Sequence, residues 1–368
     1  MKRMRVLWSV ALLCGVVAVG GWAVSLCDFY SPVTYLSDMR LSFGYRYFND
    51  ASTAGVDVNS GRIALDYDQL FDSPDFGFTL LGAAEVVLDQ FTPVGWLGHG
   101  SGTFRYYLAE EVPLFAFGGL EASLATGQPQ PGVDVLIGAG YGRFTDVTPL
   151  AKALTIEKEL MDLKAFIDPL SDETLMNIAS VIGRMLEYDT LKELVADIES
   201  LIEAETAADL DARALLTIEE VVLAVGDDRK CGWAIQGGIG YELVDPFGGA
   251  RNVVVSFAGD AAYASGPKDQ LLVRASFIGP FDILNENTLT VTGTYEYQLT
   301  ESSTFYADYT MQRVQPSGLP ASVSHSAGLS LGFNYRGADI GIQVSLTREA
   351  GDPGWSIDVS LSASMNLL

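Results

Sequence analysis

Two histidines, His99 and His325, and three cysteines, Cys14, Cys27 and Cys231, are all that a chain of 368 residues holds of those two types. A serine hydrolase needs a histidine within hydrogen-bond reach of its nucleophile. His99 falls in the stretch GWLGHGSG, read as an external loop, and His325 shares parity with Val323 and Ala327, so neither is placed as a general base. No cysteine or histidine spacing fits a metal centre, and no glycine run opens a helix as a phosphate cradle does. The reading is a non-enzyme without cofactor or metal. What the sequence offers instead is charge at alternate positions of strand-like segments. Asp38, Asp66, Asp68, Glu85, Glu121, Asp134, Asp260, Glu296, Asp308 and Asp358 share their face with Arg40, Arg46, Arg62, Arg105 and Arg274. A wall of fixed charge of this kind selects ions, here with a mild preference for cations. The competing expectation is an ion-pair network that fills the space between the strands.

The elements that must carry these residues show a period of two, the mark of strands with two unlike faces. Six such stretches precede residue 147, at 33–48, 59–71, 75–90, 101–111, 114–126 and 132–145. Eight follow residue 230, at 231–243, 252–265, 269–279, 287–299, 302–314, 322–336, 338–349 and 355–368. Each is long enough to cross a bilayer as a tilted strand, which takes about 9–11 residues. The even-numbered connections are short (DSP, EEVP, SGPKD, TESS, RGA), and the odd-numbered ones longer (NDASTAGVDV, FTPVGWLGHG, VDPFGGARN). That rhythm fits an up-and-down barrel of fourteen strands, with twelve or sixteen left open.

Which face meets water separates a soluble sandwich from a membrane barrel. In 322–336 one face holds Ser324, Ser326, Gly328, Ser330 and Gly332, and the other Val323, Ala327, Leu329, Leu331, Phe333 and Tyr335. The final stretch WSIDVSLSASMNLL alternates in the same way, and lysine is almost absent from the strands. A face of serine, threonine and glycine suits a lumen wall, and the apolar face suits lipid. Phe43, Tyr45 and Tyr47, Tyr295 and Tyr297, and Phe333 and Tyr335 lie towards strand ends on the apolar parity, as interfacial girdles do. The alternative is that these are core aromatics of an extracellular β-domain. Glycines in GAGYG and GGIGYE read as sites of close packing or curvature. Charged residues make up only 19% of the chain, with 22 basic against 47 acidic and a net charge of −25. Such a balance excludes nucleic acid as a partner.

Between strands six and seven the period changes from two to 3.6. Thr148-Pro149 reads as a helix start, Ser171 as a second and Thr190 with Glu193 as a capping box; shorter pieces follow from Thr206 and Thr217, the last stopped by Gly226. From Ala151 to Lys230 there are 19 acidic and 8 basic residues. This is either a solvated bundle packed on itself, an interaction module for a periplasmic partner, or a plug under the pore mouth.

Lys2, Arg3 and Arg5 ahead of an apolar run from Val6 to Leu26 read as a secretory signal over residues 1–25, with an uncleaved anchor and a lipidated Cys27 as alternatives. Export would leave Cys27 and Cys231 in an oxidising compartment, either as a disulfide or as two buried thiols. The expected organisation is 26–146 for strands one to six, 147–230 for a periplasmic helical insertion and 231–368 for strands seven to fourteen. On these patterns the chain resembles a bacterial outer-membrane β-barrel of the general porin type. The resemblance covers the architecture from about residue 33 onward apart from the insertion. It implies passage of small hydrophilic solutes or ions through a barrel seated in outer-membrane lipid, or a filled barrel that anchors the helical module. It departs at the C-terminus, where Leu367 and Leu368 stand where such barrels often end in an aromatic residue.

Overall fold

The computed structural model describes residues 25–31, 33–48, 58–109, 112–224, 228–249, 252–300, 303–335, 338–351 and 354–366. Residues 1–24 of the expected signal, the helix stop at Gly226 and the terminal leucines lie outside the described residues, as do the side chains of Arg46, Tyr47, Tyr335 and those beyond Ser360.

Fourteen antiparallel strands close into one barrel in chain order. They are β1 (Thr34–Phe48), β2 (Val58–Asp72), β3 (Phe76–Asp89), β4 (Thr92–Tyr107), β5 (Leu114–Ala125), β6 (Gly132–Asp146), β7 (Lys230–Val244), β8 (Val253–Tyr263), β9 (Asp269–Pro280), β10 (Asn287–Thr300), β11 (Ser303–Gln315), β12 (Ser322–Tyr335), β13 (Ala338–Arg348) and β14 (Ser356–Asn366). Closure is made by β14 on β1, with Arg40 opposite Asn366 and Gly44 opposite Ser362. The ladder leaves no open edge, so every strand has a neighbour on both sides. Strand number and order are those the alternation predicts.

One hairpin differs. The sequence places a long loop at FTPVGWLGHG, yet β4 starts at Thr92 and only Gln90 and Phe91 separate it from β3, both in the left-handed region (φ 48° and 62°). A two-residue turn with both positions left-handed matches the twist of the flanking strands, and here it forms without glycine. Pro93, Gly95, Gly98 and Gly100 read as loop residues, but they pair with β3, Gly98 opposite Ala84 and Gly100 opposite Gly82, with one register shift between Pro93 and Gly95. His99 is therefore a mid-strand residue, not a loop residue.

The helices form a separate compact unit with Leu26–Phe29 and the turn 264–267. They are α1 (Thr148–Asp162), α2 (Asp172–Gly183), α3 (Leu191–Thr206) and α4 (Ala212–Leu223). Ser171 and Thr190 cap α2 and α3, accepting from the backbone N–H groups of Thr174 and Glu193. Thr148 is inside α1, whose N-cap is Val147, and the two pieces expected from Thr206 and Thr217 are one helix begun by Asp211, which accepts from Ala214 N–H at 2.9 Å. Leu150, Leu154, Ile156, Leu160, Ile178, Leu194, Ile198, Ile202 and Ile218 are buried, so the apolar stripes close on one another. Within this core Glu157 accepts from Leu170 N–H at 2.7 Å; burial, then Glu205 and Asp172, pushes its carboxyl above the ordinary range.

Candidate functional site

Bonds between strands that are not neighbours in the wall can cross only the inside of a closed barrel, and they identify the inner face. The Tyr107 hydroxyl on β4 donates to Asp72 Oδ2 on β2 at 2.8 Å, and Arg143 Nε on β6 lies 3.8 Å from Asp72 Oδ1. Asp72 shares parity with Asp66 and Asp68, and Tyr107 with Arg105, so those positions face inward. The register carries this parity round the wall: Ala64 stands opposite Glu85, Ser101 opposite Glu121, Glu121 opposite Asp134, Asp260 opposite Arg274 and Glu296 opposite Gln270. Asp308 and Asp358 alternate with exposed Tyr309, Ile357 and Val359.

Outward parity holds the exposed apolar side chains, including Phe43, Ile63, Phe104, Leu120, Ile137, Ile239, Phe257, Leu329, Ile342 and Ile357. Tyr309 Oη bonds His325 Nδ1 at 2.9 Å and the His325 and Trp355 rings lie 6.1 Å apart, an outward aromatic cluster.

Inside, several charges are paired. Arg274 Nε donates to Asp260 Oδ1 at 2.6 Å. Arg62 lies 3.5 Å from Glu85, and buried Arg229 lies 3.3 Å from Glu296. Arg40 and Asp358 also have partners. Arg105 is buried, donates to Thr79 Oγ1 and lies 5.8 Å over the Phe115 ring. His99 Nδ1 is 3.8 Å from Glu121. Glu121 and Asp134 meet Glu242 at a cavity of about 510 Å³ whose walls also include Thr103, Ser256 and Thr288, and no basic side chain lines it among the described residues. Cys27 and Cys231 are both disulfide-bonded. No group of three or more histidine, cysteine or carboxylate side chains among the described residues could hold a metal ion.

The inner residues not singled out in the sequence explain themselves by parity. Phe115 and Phe117 alternate with Leu114, Ala116 and Leu120 and share the parity of Glu121. Both are buried and pack with Tyr107 and Leu136. Their rings lie over Gly140 and over Gly138 and Gly238, where a β-carbon would collide with them. Gly138 and Gly140 of GAGYG and Gly238 of GGIGYE therefore serve packing. Asp72 reads as the first residue of a turn, DSP, although it continues the inward parity of β2. Arg143 is the exception to parity. Strict alternation from outward Tyr141 would send it outward, but Gly142 has φ +123°, and this left-handed step delivers Arg143 to the interior.

No family model and no curated sequence matches the chain. Among solved structures it is similar to the outer membrane channel DcaP of Acinetobacter baumannii (10% identity, 92% of this chain and 99% of that one, TM-score 0.36). It is also similar to a BenF-like porin from Pseudomonas fluorescens Pf-5 (9%, 90% and 98%, 0.35) and to the outer membrane protein OprD from Pseudomonas aeruginosa (10%, 93% and 96%, 0.34). At such identities and TM-scores these likenesses carry no weight for function, which rests on the barrel itself.

Proposed function

We propose that the chain is an outer-membrane pore that lets small hydrophilic solutes or ions diffuse through the barrel, with a preference for cations. The observation that carries this reading is the pairing of an exposed apolar outer face with a charged inner one. Ile137 and Ile357 are each 70% exposed and Val359 67% exposed. A continuous apolar belt of this kind is unfavourable in water and solvated in hydrocarbon, where only a closed barrel or a helix satisfies its backbone groups. Inward carboxylates outnumber inward arginines, so the lumen holds cations at higher concentration than anions. Residues 1–25 act as the export signal, and the acidic insertion over 147–230 sits on the periplasmic side with the short turns, available to a periplasmic partner. Cys27 and Cys231 pair with each other; identical electrophoretic migration with and without reductant would contradict that pairing.

The test is single-channel recording of the refolded full chain in a planar bilayer under a salt gradient. Discrete conductance with a cation-selective reversal potential supports the reading, and anion selectivity overturns the charge assignment. Buried Phe115, Phe117 and Tyr107 favour a second reading, a filled barrel that anchors the helices. A folded barrel with no conductance decides for it.

A further inference from the structure

We propose that Asp72, Tyr107 and Arg143 form a latch that draws β6 against β1 and β2 across the inside of the barrel and sets the size limit of the pore. The proposal rests on the pore reading for its consequence and on the barrel's own contacts for its existence.

In the wall β2 and β6 are separated by three strands and β1 and β6 by four, yet residues of β6 come within 8 Å of both β1 and β2, Cα to Cα. A round barrel of fourteen strands would hold them much farther apart. The approach is made by specific bonds. Arg143 Nη2 donates to the Pro74 carbonyl at 3.1 Å, its Nε faces Asp72, and its guanidinium lies 4.0 Å over the Tyr107 ring. Beside it Asp146 N–H donates to Thr34 Oγ1 on β1 at 3.0 Å. Arg143 thus touches β2, the turn after it and β4 at once, as a planar fork of donors can. Asp72 is 2% exposed and Thr34 2% exposed, so water is largely shut out where the walls meet. Behind the seam Phe115 and Phe117 pack on Tyr107 and fill the space beside the latch, while the cavity that remains is bordered by Glu121 and Asp134 as well as by Glu242, Ser256 and Thr288. Gly142 gives the arrangement its geometry, since without its left-handed step Arg143 would point away from Asp72.

The latch is tested with the full chain refolded into bilayers and liposomes, comparing wild type with Arg143→Ala, Asp72→Asn and Tyr107→Phe. Heat-modifiable migration checks that each barrel is folded, and Tyr107→Phe, which loses one hydroxyl and keeps its ring, remains informative where the larger changes prevent folding. The expected result is a conductance raised about two-fold or more in Arg143→Ala and less in Tyr107→Phe, with larger neutral sugars passing in liposome swelling. A thiol probe reads the seam without any need for conductance. Thr34→Cys in the parent is expected to react slowly with a charged maleimide, and quickly once Arg143→Ala or Tyr107→Phe is added. If no variant conducts, the pore reading fails and this reactivity alone decides. Equal labelling rates in folded parent and folded variant overturn the latch, whatever the conductance.

Discussion

On β5 the inward parity carries Phe115 and Phe117, whereas on β10 the same parity carries Thr288, Thr290, Thr292 and Thr294. The alternation is the same on the two walls and its contents are opposite. On the wall of β4–β7 rings laid over glycines fill the end beside Asp72 and Arg143, while Glu121 and Asp134 farther along the same strands border a cavity. The wall of β10–β14 presents mainly Thr, Ser and Gly, from Thr288 on β10 to Ser356 and Ser360 on β14, with carboxylates spaced among them, while β8 and β9 add Val254, Leu272, Arg274 and Ile278. Rings need facing residues without side chains, and Gly138, Gly140 and Gly238 supply them. Short hydroxyl side chains need no such relief and leave space that water and ions can occupy. One barrel thus holds a wall whose inner face is packed with rings and a wall whose inner face is mostly short polar side chains.

The largest effect expected is from Gly142→Ala. A left-handed backbone for a residue with a β-carbon costs about 1–3 kcal/mol, and here the new carbon would also overlap the Trp233 carbonyl oxygen on β7. Loss of heat-modifiable folding, or its appearance only at low yield, is the expected outcome; a stable barrel with unaltered conductance would show that the filled wall does not depend on Arg143. Next is Phe115→Ala against Thr292→Ala. Phe115 is fully buried, so its removal is expected to cost about 3–5 kcal/mol, while Thr292, on the open wall, is expected to cost less than about 0.5 kcal/mol. Equal shifts in urea midpoint for the two variants would erase the distinction between the walls. Smaller again is the effect of Asp66→Asn, Asp68→Asn and Asp308→Asn combined. These are expected to lower the cation-to-anion permeability ratio by about two-fold without altering stability, read from reversal potentials. An unmoved reversal potential would mean that the ion path avoids these carboxylates.

Strand number, chain-order closure and the pairing of the last strand with the first were all legible, because a period of two is written directly in the residue types. The alternation that sets Asp66 and Asp358 apart from their apolar neighbours is written in the residue types in the same way. The short hairpin at Gln90–Phe91 was not, since Pro93 and four nearby glycines have the composition of a loop, and only pairing with β3 shows that they are extended. Arg143 was hidden more deeply. Its side follows from the sign of one dihedral at Gly142, and glycine is as permissive of the ordinary strand conformation as of this one. Asp72 was hidden by its neighbours, because Asp-Ser-Pro is the language of turns and its carboxylate finds its partners two and four strands away. The short-range pattern thus tells which face a residue occupies, and long-range bonds decide what that face does.

The helices carry the smallest effect of the series. Glu157 is buried in α1, and its carboxyl is raised above the ordinary range chiefly by burial, with Glu205 and Asp172 adding to it. A carboxyl raised in the folded state binds its proton more tightly there than in the unfolded chain, so its contribution is most favourable in acid. That contribution falls as pH rises from the ordinary carboxylate range through the raised value. Glu157→Gln keeps an oxygen to accept from Leu170 N–H and removes the ionisation. The helical signal of the full-chain variant at 222 nm is therefore expected to melt a few degrees higher than wild type at neutral pH, with the difference vanishing in acid. A difference that grows in acid would reverse the sign and show that the charged form is the one the helices hold. If the expected slope is found, the pH dependence of the helical melt belongs to Glu157, whose burial among apolar side chains of α1 penalises its charged form.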